Sequence, residues 1–482
     1  MNFLSTALLS VILTFTHLPE NQDKNFLSEN YRPQFHYSTA QNWMGIPGGL
    51  VFFEGEYHLF YQYNSKGLDP VPNGWGHASS TDLVHWKQLP LAFSADLLPG
   101  SDSVCAILSG SVVIDQNNVL QKQINDTKTL VAFYTAKGCG QLMAYSSDKG
   151  NSWKKPEKPV ISFDSGDDAR NPKVFWHNET QKWVMLLVRK ISENENSKGV
   201  SIYTSVNLID WEYQSHIPGF GEHPDLVEFT VKNRPNEKMW VLLDGDGNYL
   251  LGTFDGKTFT PSSGKMKIDW GSSYYAGQTV SLQAENNERI IQIASLQGGK
   301  FTDMPFKGQL AIPSELSVTK ISSGYKLIRK PVSEIEVLHG KHDSWSDKNL
   351  IPGINQNKLK KVSGDCLRIT GEFDLKTSDN FGFMVRQSNK NPGIEILYNV
   401  KRGVLTVLGS TVPLLPINNT LKFDILVDRS SIEIFANDGQ SVVSSCFEPD
   451  VKSKDVVLFT NGGELGIIQL DVYNMESMWV EK

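Results

Sequence analysis

The chain has 482 residues, of which 39% are hydrophobic and 21% charged, and its formal net charge is −7. That length exceeds what one hydrophobic core usually serves, so two domains are expected. The acidic balance offers no basic field for a polyanion, which argues against nucleic acid and against an anionic membrane surface as partners.

The opening, "MNFLSTALLSVILTFTHLPEN", is apolar from Phe3 to about Phe15 and turns polar at His17, Pro19 and Glu20. It is too short to span a bilayer and has the length of a secretory signal, expected over residues 1–18. No Lys or Arg precedes the apolar run, so a buried N-terminal helix is the alternative. No later run approaches a spanning length, and a cleaved product would be secreted and extracellular, with no membrane association. Three sequons, at Asn125, Asn178 and Asn418, fit N-glycosylation in that pathway.

From about Tyr31 to Gly340 short runs rich in Val, Phe, Tyr and Trp are broken by Gly, Asn, Asp and Ser turns, and long helical periodicity is missing. A weak repeat runs through this region: "HASSTDLVHW" ending at Trp86, "AYSSDKGNSW" at Trp153, "IYTSVNLIDW" at Trp211 and a degenerate "LGTFDGKTF" at Phe259. Each unit reads as a strand, a polar turn and a packing aromatic. Units of that kind at that period predict an all-β propeller of about five blades over 30–338.

The mixed, charged stretch "KISSGYKLIRKPVSEIEVLHGKHDSWSDKNL" marks a boundary near residue 340. Alternating strands follow, with turns such as Asn437-Asp438-Gly439 and Asn461-Gly462-Gly463, and predict a C-terminal antiparallel β-sandwich over 345–482. No low-complexity linker separates the halves, so they are expected to pack together. Four cysteines, Cys105, Cys139, Cys366 and Cys446, lack metal spacing; two lie in each half, and one bridge per half or free buried thiols are both open. No metal or cofactor is expected.

The segments "NWMGIPGGLVFFEGEYHLFYQYN", "GWGHASSTDLVHW", "LSGSVV", "RNPKVFW", "GEHPDLVEF", "YYAGQT", "GQLAIPSEL" and "VDRSSIEIFANDG" fall in order along nearly the whole chain. In that order they resemble glycoside hydrolase family 32, the invertases, inulinases and other β-fructosidases. The resemblance implies a five-bladed propeller followed by a β-sandwich, and fructose-containing sugars, sucrose and fructans, as ligands. Retaining glycosidases of this kind need two carboxyl groups about 5 Å apart, one nucleophilic and one protonating the leaving oxygen.

The family's nucleophile is the Asp of W-M-N-D-P-N-G, and here that position is Ile46. The flanking amides are Gly45 and Gly48. The family's R-D-P carboxylate, which stabilises the transition state, corresponds to Asn171, with Arg170 retained and expected to have lost an ionic neighbour. The acid/base is present as Glu222, followed by His223 where the family has Cys, and it is expected to stand as a proton donor with no nucleophile opposite.

Candidates to replace the missing acid are weak. Glu54 and Glu56 fall at a hairpin turn, Asp225 and Glu228 belong to a strand terminus, and Asp168 near Asn171 is the one worth testing. Trp43, Gln62, Trp75, Ser111, Tyr275 and Gln278 look retained by resemblance as sugar contacts; for Trp75 and Tyr275 core packing is an equal reading. The expected function is that of a secreted pseudoenzyme that has lost hydrolysis and keeps sugar binding. The alternatives are an active β-fructofuranosidase using Glu222 with a non-standard second group, and an interaction protein that uses the propeller surface.

Overall fold

The computed structural model describes residues 26, 28–97, 104–162, 168–192, 194–284, 287–299, 301–353 and 357–480; the expected leader lies outside them. The fold is a β-propeller followed by a β-sandwich. Among the described residues five sheets, antiparallel except at one closing strand, follow one another in the propeller, and their innermost strands are Asn42–Phe53, Ala106–Asp115, Arg170–His177, Asp225–Thr230 and Tyr274–Ala284.

Side chains tie each inner strand to the next. Ser109 Oγ donates to the Pro47 carbonyl at 2.7 Å, and Ser111 Oγ donates to the Pro172 carbonyl at 2.9 Å while accepting from Val174 N. Lys173 Nζ pairs with Asp225 at 3.0 Å, and the same carboxylate accepts from Thr279 N and Oγ1. The ring closes where Phe306–Lys307 pairs in parallel with Asn42 and Trp43 of the first sheet, while Gln309–Leu310 pairs with the fifth.

The repeated aromatics have one structural cause. Three residues before each of them, Leu83, Gly150, Leu208 and Gly256 adopt positive φ. The indole N–H of Trp86, Trp153 and Trp211 donates to the carbonyl of that residue at 2.9, 3.1 and 3.2 Å. An Asx side chain, Asp82, Asp148, Asn207 or Asp255, accepts backbone N–H groups within each turn. The polar turn and the aromatic are thus one local device, used four times at the outer parts of successive sheets.

The sandwich consists of a six-stranded and a five-stranded sheet. They enclose a core that includes Leu367, Ile369, Phe373, Phe381, Phe383, Tyr398, Ile425, Ile434 and Leu470. The strand His339–Leu350 lies across the expected boundary and forms the edge of the six-stranded sheet.

The two domains meet in a buried ionic network. His36 lies 2.8 Å from Asp428 and 2.9 Å from Glu433, and Arg329 reaches Glu433 at 3.0 Å and also pairs with Asp269. Ser444 Oγ donates within the same cluster, and Glu433 further accepts from Ile312 N at 2.7 Å. Two of these carboxylates come from the "VDRSSIEIFANDG" segment, so that motif serves the domain junction. Cys105 and Cys139 form a disulfide, whereas Cys366 and Cys446 are free thiols; a bridge exists in the first half of the chain and not in the second.

Candidate active site

The inner strands of a propeller run in the same direction around the axis, so residues at their N-terminal ends converge on one end of the molecule. Asn171, Glu222 with His223, and Tyr275 lie at or just before those ends, and Ile46 and Ser109 to Ser111 lie in the first half or middle of their strands. Side-chain contacts link Asn171, Glu222, His223 and Tyr275. Asn171 reaches Glu222 and His223, and His223 meets Tyr275 edge-on at 5.2 Å.

The segment around Ile46 is irregular. Pairing with Glu56–Asn64 slips between Met44 and Pro47 and again between Pro47 and Gly49. Pro47 supplies no N–H to a ladder, so the strand bulges there. Ile46 is 7% exposed. The glycines beside it are closely covered by aromatic rings. A Cβ on Gly45 would strike the Trp43 indole and lie 3.0 Å from Gln62 Oε1, and one on Gly48 would lie 2.9 Å from the Trp75 ring. Trp43 and Gln62 therefore flank the loop. Trp75 is fully buried with Nε1 donating to the Leu108 carbonyl, and Ser111 is 1% exposed with its hydroxyl engaged as above. These two residues lie buried behind the loop.

Asn171 adopts φ +58° and is 7% exposed; its backbone N–H donates to Thr135 Oγ1 at 3.0 Å. His223, at φ +50°, is buried, and burial pushes its pKa down to about 4, so it is neutral. Asn171 Nδ2 lies 3.4 Å from His223 Nε2, and His223 Nδ1 has no partner among the described residues. Tyr275 is half-buried, and burial together with the Glu222 charge raises its phenol to about 12.

Glu222 corrects two expectations. Arg170 does not lack an ionic neighbour: it grips Glu222 with Nε, at 2.9 Å, and with Nη2, while Nη1 pairs with Asp168. Lys198 Nζ adds a second cation to Glu222 at 2.9 Å, and Asn171 Nδ2 donates at 3.3 Å. Burial by itself would raise the Glu222 carboxyl, yet the hydrogen bonds and charges of Arg170 and Lys198 outweigh it and hold the group below the usual glutamate range. It is an anion at neutral pH and not a poised proton donor. Lys198 was not legible as a site residue in the sequence, because it opens the strand Lys198–Ser205, which pairs outside the inner strand of its sheet.

The substitute acids are occupied elsewhere. Asp168 pairs with Arg170 and is 64% exposed. Asp225 serves Lys173 and Thr279, Glu228 pairs with Lys238, and Glu54 pairs with Lys149. No group of three or more metal-ligating side chains occurs among the described residues.

Comparison with known proteins gives a consistent picture. Residues 36–331 match the model of the glycosyl hydrolases family 32 N-terminal domain, and residues 334–474 match that of the family 32 C terminal. A levanase of Bacillus subtilis (strain 168) is 34% identical over 518 residues, covering 98% of this chain and 74% of the levanase. An extracellular exo-inulinase of Aspergillus awamori is 29% identical over 526 residues, covering 93% and 95% of the two chains. The crystal structure of exo-inulinase from Aspergillus awamori superposes with a TM-score of 0.83 at 28% identity, over 93% of this chain and 99% of that one. A fructofuranosidase from Schwanniomyces occidentalis complexed with fructose, at 21% identity and a TM-score of 0.78 over 93% and 98% of the two chains, shares the fold.

Proposed function

This chain belongs to glycoside hydrolase family 32, and we propose that it has lost glycoside hydrolysis while keeping a pocket that binds fructose-containing sugars. The observation that carries the reading is Ile46 at the nucleophile position. A sec-butyl group can neither attack an anomeric carbon nor stabilise an oxocarbenium ion. Loss of the nucleophile and of the transition-state acid at Asn171 removes several orders of magnitude in rate. The ionised Glu222 points the same way, because protonation of a leaving oxygen needs a carboxyl that holds its proton near working pH.

Binding is supported by what remains at the loop and around it. Trp43 offers an aromatic face to sugar C–H groups, Gln62 and Asn171 offer amides, and Tyr275 offers a phenol. Trp75, Ser111 and Arg170 act on a ligand indirectly, from behind the loop and through Glu222. The relatives named above are a levanase and an exo-inulinase, and a fructofuranosidase of the same fold is known with fructose bound. Isothermal calorimetry with fructose, sucrose and a short inulin tests the binding half of the reading. Heat for at least one of them is expected, and silence with all three leaves only an interaction role for the propeller surface.

The retained Glu222 is the one observation that favours an active β-fructofuranosidase with a non-standard second group. Sucrose hydrolysis that disappears in Glu222→Gln would establish that reading. Secretion and N-glycosylation complete the proposal. The A. awamori relative is extracellular, no described helix is long and apolar enough to cross a membrane, and Asn125, Asn178 and Asn418 are all exposed. Asn125 and Asn418 stand at positive φ in turns closed by Ile124 to Thr127 and Ile417 to Thr420 bridges.

A further inference from the structure

An ionised carboxylate offers about four lone-pair positions. At Glu222 four donors meet them: Arg170 Nη2 and Lys198 Nζ at Oε1, and Arg170 Nε and Asn171 Nδ2 at Oε2. The main chain is fixed as well, since Gly245 N donates to the Glu222 carbonyl at 2.6 Å. A carboxylate saturated in this way has no position left for a proton without losing a donor. Of the side chains that hold it, Lys198 is the most exposed, at 44%, against 18% for Arg170.

We infer that Lys198 is a positioning residue which, with Arg170, fixes Glu222 as a permanent anion, so that the retained acid/base glutamate serves the pocket as a structural acceptor. The inference rests on the family reading, which supplies the role that Glu222 would otherwise have. Its chemical logic is a competition for the same lone pairs. A general acid must carry its proton on an oxygen that also faces the leaving group, and here both oxygens are occupied by donors that cannot give up their hydrogens at neutral pH.

The groups facing Glu222 from every neighbouring element agree with this assignment. Arg170 and Lys198 are cationic, and Asp168 acts from behind Arg170. Asn171 is neutral, and His223 is neutral by burial. Tyr275 keeps its phenolic proton, and Asp244 and Asp246, which flank Gly245, add negative charge on the Tyr275 side. Only the two cations favour the ionised form strongly, and only Lys198 can be removed without also freeing Asp168 and disturbing the start of an inner strand.

The test is a direct titration of the Glu222 carboxyl in the full chain, by infrared difference spectroscopy against Glu222→Gln, in wild type, Lys198→Met and Lys198→Arg. The expected result is an upward shift of the midpoint in Lys198→Met and none in Lys198→Arg. An unmoved midpoint in a folded Lys198→Met protein overturns the inference. This readout needs no turnover, so it stands apart from the hydrolysis assay that decides the pseudoenzyme reading. In an Ile46→Asp/Asn171→Asp background, Lys198→Met should also raise kcat and move the limb of the pH profile that reports the acid, with KM little changed.

Discussion

On the proposed reading one side chain, Ile46, decides the chemistry, and its neighbours decide whether that chemistry can return. On that reading, Ile46→Asp with Asn171→Asp supplies carboxylates at the family's nucleophile and transition-state positions and adds negative charge beside Glu222, which raises its tendency to hold a proton. Detectable sucrose hydrolysis is expected from this double variant, far below that of an active relative, at a stability cost of about 2 kcal/mol for placing an acid at a 7% exposed position. Adding Gly45→Asn and Gly48→Asn should make matters worse, because the Trp43 and Trp75 rings fill the space a Cβ needs. Each is expected to cost about 1–3 kcal/mol, read as a lower thermal midpoint with no gain in turnover. The sequence displayed the missing residues plainly, since Ile and Gly stand where a motif has Asp and Asn. It could not display the rings that cover the glycines, nor Lys198, whose partner is 24 positions away in the chain and becomes a neighbour only when successive sheets of the propeller are set side by side.

At the scale of the element, the recurring turn and aromatic are the best test of how local chemistry builds the sheets. Asp148 accepts from Ser152 N at 2.9 Å, Ser152 Oγ at 2.6 Å and Ser146 Oγ at 2.7 Å. Replacement by Ala removes all three and should lower stability by about 1 kcal/mol, measured by urea unfolding. The same change at Asp255, whose turn ends in Phe259 without an indole N–H, should cost about as much, since the carboxylate there also accepts from two backbone N–H groups. This device was readable in the chain because it is contiguous: polar residue, left-handed position and aromatic fall within six residues. The closing of the ring through Phe306–Leu310 was not readable, because it depends on two very short pairings separated from their partners by most of the propeller. The disulfide pattern was likewise open until Cys105 and Cys139 were seen together.

At the scale of the whole molecule the domains are held by charges with almost no access to water. Burial alone would lower the His36 pKa, but hydrogen bonds and charge from Asp428 and Glu433 overcome it and raise it to about 9, while Glu433 is lowered to about 2 by His36 and Arg329 against the effect of burial. The signs follow from linkage. The His36 contribution is complete below its unfolded value of 6.5 and is lost as pH rises through about 9; the Glu433 contribution is complete above 4.5 and is lost as pH falls through about 2. The thermal midpoint is therefore expected to be highest between about pH 4.5 and 6.5 and to decline on both sides. Glu433→Gln leaves His36 and Arg329 each short of a counter-charge, and should cost about 3–5 kcal/mol and flatten the alkaline decline. On the proposed reading the propeller holds sugars without cutting them. The most direct measurement is release of fructose from sucrose and inulin by the purified protein beside its Glu222→Gln variant. No release above that variant is predicted, and turnover that vanishes when Glu222 becomes Gln would contradict the account.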